Sequence, residues 1–155
     1  MVIFPEDIVF SRMEDSDLES VVNLESLAYE YPWSGKIIQG CFEAGYRIWI
    51  GKVGLTHICQ AFVSVVAGEA HLLNLAVHPK WQKNGCGKAI LRRVIEDIKL
   101  LNVQGIFLEV RISNHLAISL YEKFGFSQIG ERRNYYPASD GRENAIMLGL
   151  QLRFP

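Results

Sequence analysis

The stretch LNLAVHPKWQKNGCGKAILRRVIEDI, residues 73–98, decides how the chain is read. It begins as an apolar strand, breaks at Pro79, crosses a short polar run and reaches Gly85, Cys86 and Gly87 just before a helical pattern. From Lys88 the residues Ile90, Leu91, Val94, Ile95, Ile98 and Leu101 form one stripe, while Arg92, Arg93, Glu96, Asp97 and Lys99 cover the other side. The order is therefore strand, glycine loop, amphipathic helix. Unpaired N–H groups at a helix N-terminus attract an anion, the dipole contributing about 0.3–1 kcal/mol, and Lys83 and Lys88 place cations beside it. A plain tight turn would use the same two glycines, so the glycines alone do not choose. A Walker loop would need glycine at Gln82 and Ser or Thr at Ala89, and a dinucleotide fingerprint would need a small residue at Ile90; both are ruled out.

Working outward, residues 8–12 read as a first strand, and SDLE at 16–19 reads as a capping box before a helix carrying Leu18, Val21, Val22 and Leu27. Pro32 and Gly35 interrupt that helix, and Ser34 is placed to cap a second, short one through Ile37 and Ile38. RIWIGKV (47–53) and HICQAFVSVV (57–66) pair across Gly54 as an antiparallel hairpin, and HLLNLAV (71–77) follows as a strand. GIFLEV (105–110) reads as a buried strand and SNHLAISLYEKFG (113–125) as a helix with Ser113 as N-cap and Gly125 as its stop. FSQIGERR (126–133) and NAIMLGLQL (144–152) are the last two strands. The central strand, helix, strand unit implies a right-handed crossover between parallel neighbours, bringing the C-terminal ends of HLLNLAV and GIFLEV to one sheet edge, where sites in such sheets gather. The expected fold class is a mixed α/β domain over residues 1–155: a mostly antiparallel sheet with one central parallel pair and flanking helices.

Composition narrows the function. The chain has 155 residues, 49% hydrophobic and 21% charged, with a formal net charge of -1, so it carries no general field for nucleic acid or an anionic membrane. Cys41, Cys59 and Cys86 are scattered and odd in number, which fits a reducing setting. His57, His71, His78 and His115 show no metal-ligand spacing, so no metal is expected and surface or packing roles are. The start has acids at Glu6 and Asp7 and no continuous apolar region, and no run is long enough to span a membrane. These features predict a cytoplasmic protein.

QKNGCGKAIL (82–91) resembles the Q/R-x-x-G-x-G/A loop of the Gcn5-related N-acetyltransferases. LNLAVHPKWQKNGCGKAIL, LEVRISNHLAISLYEKFGF and ERRNYYPASDGRENAIMLGL, with YPWS at 31–34, resemble the ribosomal-protein-alanine N-acetyltransferases of the RimI type. About half the chain carries the likeness, mostly after Leu72. The resemblance implies that Gln82, Lys83, Asn84, Gly85, Cys86, Gly87 and Lys88 hold the pyrophosphate of acetyl-CoA. It implies further that backbone groups of Leu75, Ala76 and Val77 bind the acetyl-pantetheine arm, with Asn114 contacting the cofactor further along. Glu109 would be the proton acceptor and Tyr121 the donor to the departing thiolate. The acceptor would be a protein α-amine, the N-terminal alanine of a small-subunit ribosomal protein, by direct transfer.

The residues themselves leave alternatives open. Glu109 interrupts an apolar strand, and a buried carboxylate needs a reason, which is either proton abstraction or an ion pair with Arg111 on the same strand face. Tyr121 shares a helix face with Asn114 but also fits the apolar stripe of Ala117, Leu120 and Phe124. Trp33, Tyr135 and Tyr136 are either walls of an acceptor groove or packing aromatics, and Arg132, Arg133 and Arg142 are candidates to meet acidic groups of the acceptor. A helix N-terminus beside two lysines is a setting that can lower a thiol pKa, but the resemblance implies direct transfer, so Cys86 is expected not to act as a nucleophile and Cys86→Ser to keep near-normal activity. Two other functions compete: the same chemistry on a small amine, polyamine or lysine side chain, and an acyl-CoA-binding module without turnover.

Overall fold

The computed structural model describes residues 5–153. Residues 1–4, part of the start read above for a targeting signal, lie outside it. Among the described residues the elements run β1 (Val9–Arg12), α1 (Leu18–Ala28), α2 (Gly35–Glu43), β2 (Arg47–Val53), β3 (Thr56–Val66), β4 (Glu69–Val77), α3 (Cys86–Lys99), β5 (Gly105–Arg111), α4 (His115–Lys123), β6 (Ser127–Ala138) and β7 (Gly141–Gln151). The strands form one sheet in the order β1-β2-β3-β4-β5-β7-β6. Neighbours pair antiparallel except β4 and β5, which are parallel, as the crossover through α3 predicts.

The helices cover both faces. Strand alternation sends Ile48 and Ile50 of β2 to pack with Val21, Ile38 and Phe62 under α1 and α2, while Trp49 joins the opposite layer. That layer holds the α3 stripe of Ile90, Leu91, Val94, Ile95 and Ile98 against Ile58, Ile106 and Leu108. Across it the Trp49 Nε1–H donates to Asp97 Oδ2 at 2.7 Å, which satisfies the polar end of a side chain otherwise fully buried.

One irregularity creates the site. In the β3–β4 ladder Phe62 faces Asn74 but Val63 faces Leu72, so Leu73 is an extra residue that bends β4. The parallel ladder between β4 and β5 runs from Glu69↔Gly105 to Leu72↔Leu108 and stops there, although both strands continue. Beyond Leu72 they part, and main-chain groups of β4 lose their neighbour on that side.

Three local expectations are corrected. The capping box falls earlier than residues 16–19: the Glu14 N–H donates to Asp17 Oδ2 at 2.8 Å across a 3-10 turn, so the chain is already turning when α1 begins at Leu18. Asn114, not Ser113, caps α4, its Oδ1 accepting from Ala117 N–H at 3.2 Å, while both the side chain and the main-chain N–H of Ser113 are bonded to Glu143. Residues 134–143, the expected connection between the last two strands, are mostly ladder: Tyr136 faces Glu143 and Ala138 faces Gly141, with a bulge between Arg132 and Tyr136. Pro137 is tolerated because β6 is an edge strand. Ser34 does cap α2, accepting from Ile37 N–H at 3.2 Å, and Gly125, at φ +97°, does end α4.

Candidate active site

The glycine loop lies between β4 and α3. Gly85 is the residue preceding α3 and sits at φ +82°, where a side chain is strained, and an added Cβ would come within 3.2 Å of Pro5. Gly87 differs: a Cβ there would meet Leu120 at 3.5 Å, an ordinary contact, so the fold itself does not require glycine at that position. The Gln82 amide donates to Val77 O and the Asn84 amide to Gln82 O, both at 3.1 Å, holding the loop on itself. Lys83 and Lys88 are exposed beside the first turn of the helix. Cys86 does not show the lowered pKa that a helix N-terminus beside lysines can give. It is 1% exposed, and burial pushes its pKa up rather than down.

The parted strands open a cleft of about 420 Å³ that reaches from Leu75 on β4 to Glu109 on β5, Asn114 and Tyr121 on α4 and Tyr136 on β6. This volume is in the usual range for small-molecule sites. Glu109 and Tyr121, 12 residues apart in sequence, line the same space because α4 folds back beside the free end of β5.

Glu109 has a side chain only 9% exposed, and both its oxygens are held. His71 Nε2 lies 2.6 Å from Oε2, and the Nε–H of Arg132 donates to Oε1 at 3.2 Å. The expected partner Arg111 turns away: it pairs with Glu143 at 3.1 Å, donates to Pro137 O at 2.8 Å and lies over the rings of Tyr136 and Tyr31. In the β5–β7 ladder Arg111 faces Ala145, and Glu143, two residues earlier on β7, is the carboxylate its guanidinium reaches. His71, read above as a surface or packing residue, is therefore a partner of the Glu109 carboxylate. The available signal was that His71 and Glu109 both interrupt apolar strands that the crossover makes neighbours.

Tyr121 is 8% exposed, with its ring edge-on to Phe126 at 5.6 Å. Burial first, and Tyr136 second, push its phenol well above the ordinary range. Burial also pushes Tyr136 up to about 12, helped by Tyr135 and Glu109. Tyr29, not singled out in the sequence, donates its hydroxyl to Leu75 O in the cleft.

A second carboxylate was also missed. Glu25, 1% exposed on α1, accepts from Trp33 N–H and from the Asn74 amide, each at 2.9 Å, so it ties the segment after α1 to β4. Burial raises its pKa against the lowering effect of these two donors. An acid adjoining the buried Leu24 and Val21 was its only sequence signal. Trp33 packs edge-on against Phe62 at 5.4 Å and lines the cleft with Tyr136, whereas Tyr135 does not line it and stands 43% exposed against Tyr136. The arginines expected to face acidic groups are largely engaged: Arg132 with Glu109, and Arg142 with the carbonyls of Asn134 and Tyr135 in the bulge. Among the described residues no helix is long and apolar enough to cross a membrane, and no group of three metal-ligating side chains converges.

The family model described as the acetyltransferase (GNAT) family matches residues 13–126. The chain belongs to that family. It is an N-acetyltransferase that draws its acetyl group from acetyl-CoA. Among relatives of this GNAT chain, the [ribosomal protein bS18]-alanine N-acetyltransferase of Escherichia coli (strain K12) is 40% identical over 146 residues, covering 92% of this chain and 96% of the relative. The protein of the same description from Haemophilus influenzae is 37% identical over 147 residues, covering 93% and 99%. The crystal structure of the ribosomal-protein-S18-alanine N-acetyltransferase from Escherichia coli superposes with a TM-score of 0.90 at 36% identity, covering 96% of each chain. The GNAT sheet, with its single parallel pair, is thus the fold expected from the sequence.

Proposed function

We infer that this chain acetylates the α-amine of an N-terminal alanine, that of ribosomal protein bS18, by direct transfer from acetyl-CoA in the cytoplasm. The observation that carries the reading is the cleft between the parted strands, where a carboxylate and a phenol from different elements face one space. Relatives near 40% identity over almost the whole chain supply the acceptor.

The donor's fit rests on the loop and on β4. Gly85 and the first turn of α3 present main-chain N–H groups, Gly87 keeps a surface free of Cβ, and Lys83 and Lys88 add positive charge for a pyrophosphate. The edge of Leu75, Ala76 and Val77, without a β5 partner although Leu75 O and Val77 O accept from Tyr29 and Gln82, suits the amides of an extended pantetheine arm, with Asn114 alongside. Acetyl-CoA supplies the activated acetyl group. Glu109 accepts the proton of the acceptor's ammonium, directly or through water, leaving a nucleophilic amine. Tyr121 offers its O–H to the sulfur as the thiolate departs. Trp33 and Tyr136 stand as rigid walls of the acceptor end.

An α-amine suits this machinery. Its ordinary pKa is about 7.7–8.0 against about 10.4 for lysine, and a gap of roughly 2.5 units is about 3.4 kcal/mol less deprotonation work. The test is a peptide panel that varies the first residue and compares free with blocked α-amines, every peptide carrying an internal lysine, read by mass spectrometry. Acetylation is expected on free N-terminal alanine, and Glu109→Gln should lower turnover by about 10²–10⁴ with acetyl-CoA affinity retained. Lysine acetylation at a similar rate on blocked peptides would overturn the assignment.

A further inference from the structure

We propose that His71 is a positioning residue for acetyl transfer, its Nε2–H pinning the carboxylate of Glu109 in the orientation that receives the acceptor's proton. This rests on the reading of Glu109 as proton acceptor. An ionised carboxylate only accepts hydrogen bonds, so the ring nitrogen 2.6 Å from Oε2 carries the hydrogen. The contact is in the short range of charge-assisted hydrogen bonds.

The two partners of Glu109 are unequal. Arg132 reaches Oε1 from the edge strand β6, beside the bulge, on a long side chain 47% exposed, at 3.2 Å, and it also lies over the exposed ring of Tyr135. His71 is short and stands on β4 within the stretch still bonded to β5, opposite Phe107. It is anchored on the last rigid part of the sheet before the strands part, and Glu109 lies just past that point. A carboxylate has about four acceptor positions, and two donors leave one on each oxygen for the incoming proton. Without His71 the Glu109 side chain keeps one partner, the exposed Arg132, and an error of about 1 Å at a reacting group costs up to about 10²-fold in rate. His71 does not line the cleft, and the hydrogen bond the structure gives its ring goes to Glu109, so its loss should leave donor binding nearly unchanged.

The experiment measures kcat and both KM values for His71→Leu, His71→Asn and His71→Gln, alone and combined with Glu109→Gln, with thermal melts to check folding. Leu removes the donor and Asn is too short to place it. Each should lower kcat about 10- to 100-fold with KM for acetyl-CoA nearly unchanged. Gln can present an amide N–H near the Nε2 position and should recover most of the activity. In the Glu109→Gln background, His71→Leu should cost nothing further, because it acts through that carboxylate. An equal loss in both backgrounds, or a full kcat in His71→Leu and His71→Asn, overturns the proposal. Full turnover in Glu109→Gln alone overturns the proton-acceptor reading itself, and the proposal with it.

Discussion

Tyr121→Phe removes one hydroxyl and keeps the ring that packs on Phe126, so it isolates what the phenol does during acetyl transfer. An ordinary phenol, at about 10, is already a weaker acid than a thiol at about 8.5, and giving up its proton to a thiolate is uphill by about 2 kcal/mol. Burial of Tyr121 pushes its phenol higher still, which widens the gap. Complete proton transfer is therefore the costly course, and donation of a hydrogen bond to the developing negative charge is the favoured one. Hydrogen bonds to charged groups contribute about 1.5–3 kcal/mol, which corresponds to a fall in kcat of about 10- to 150-fold. The assay is steady-state acetylation of an alanine-first peptide at saturating acetyl-CoA, with thermal melts showing that the core is intact. A loss greater than about 10³-fold, in the range of general acid catalysis and beyond a single hydrogen bond, would refute the argument. So would a loss below about twofold, which would mean that the phenol meets no charge in the transition state.

Three further outcomes are expected. Burial holds the pKa of His57 down to about 4 while Nδ1 contacts Ser20 at 3.2 Å, so the unfolded chain binds the extra proton first as pH falls. Stability should be full above about pH 6.5 and decline toward pH 4, by about 2 kcal/mol at pH 5 before solvent screening and nearer 1 after it. Urea melts at both pH values should show most of this slope gone in His57→Gln, and an unchanged slope would reject the assignment. Cys86→Ser should keep near-normal turnover, and the wild-type thiol should alkylate slowly at neutral pH; a stoichiometric acetyl adduct on Cys86 would contradict its buried, raised-pKa state. Gly85→Ala forces a side chain to φ +82° and should lower stability by about 1–2 kcal/mol and weaken acetyl-CoA binding, both measurable by calorimetry.

Residues that act within one turn or one stripe were legible in the sequence. The α3 stripe, the Ser34 cap and the Gly125 stop are decided by partners three or four positions away, and local periodicity records them. The glycine loop was legible as the turn into α3, and the crossover placed Glu109 at the sheet edge where the strands part. The partners of Glu109 were not. His71 lies 38 residues away and Arg132 23 away, and that both reach the carboxylate depends on strand order and on the bulge in β6. Glu25 bridges to Asn74 across 49 residues, and nothing in the neighbourhood of either residue announces it. The same holds for Leu73, one residue in an apolar run, whose extra place in the β3–β4 ladder parts two strands and opens the cleft. Local signals fix elements because their hydrogen bonds close within a few residues. The register of distant strands is settled only when side chains from the whole chain compete for the same neighbours, and here the site is a product of that register.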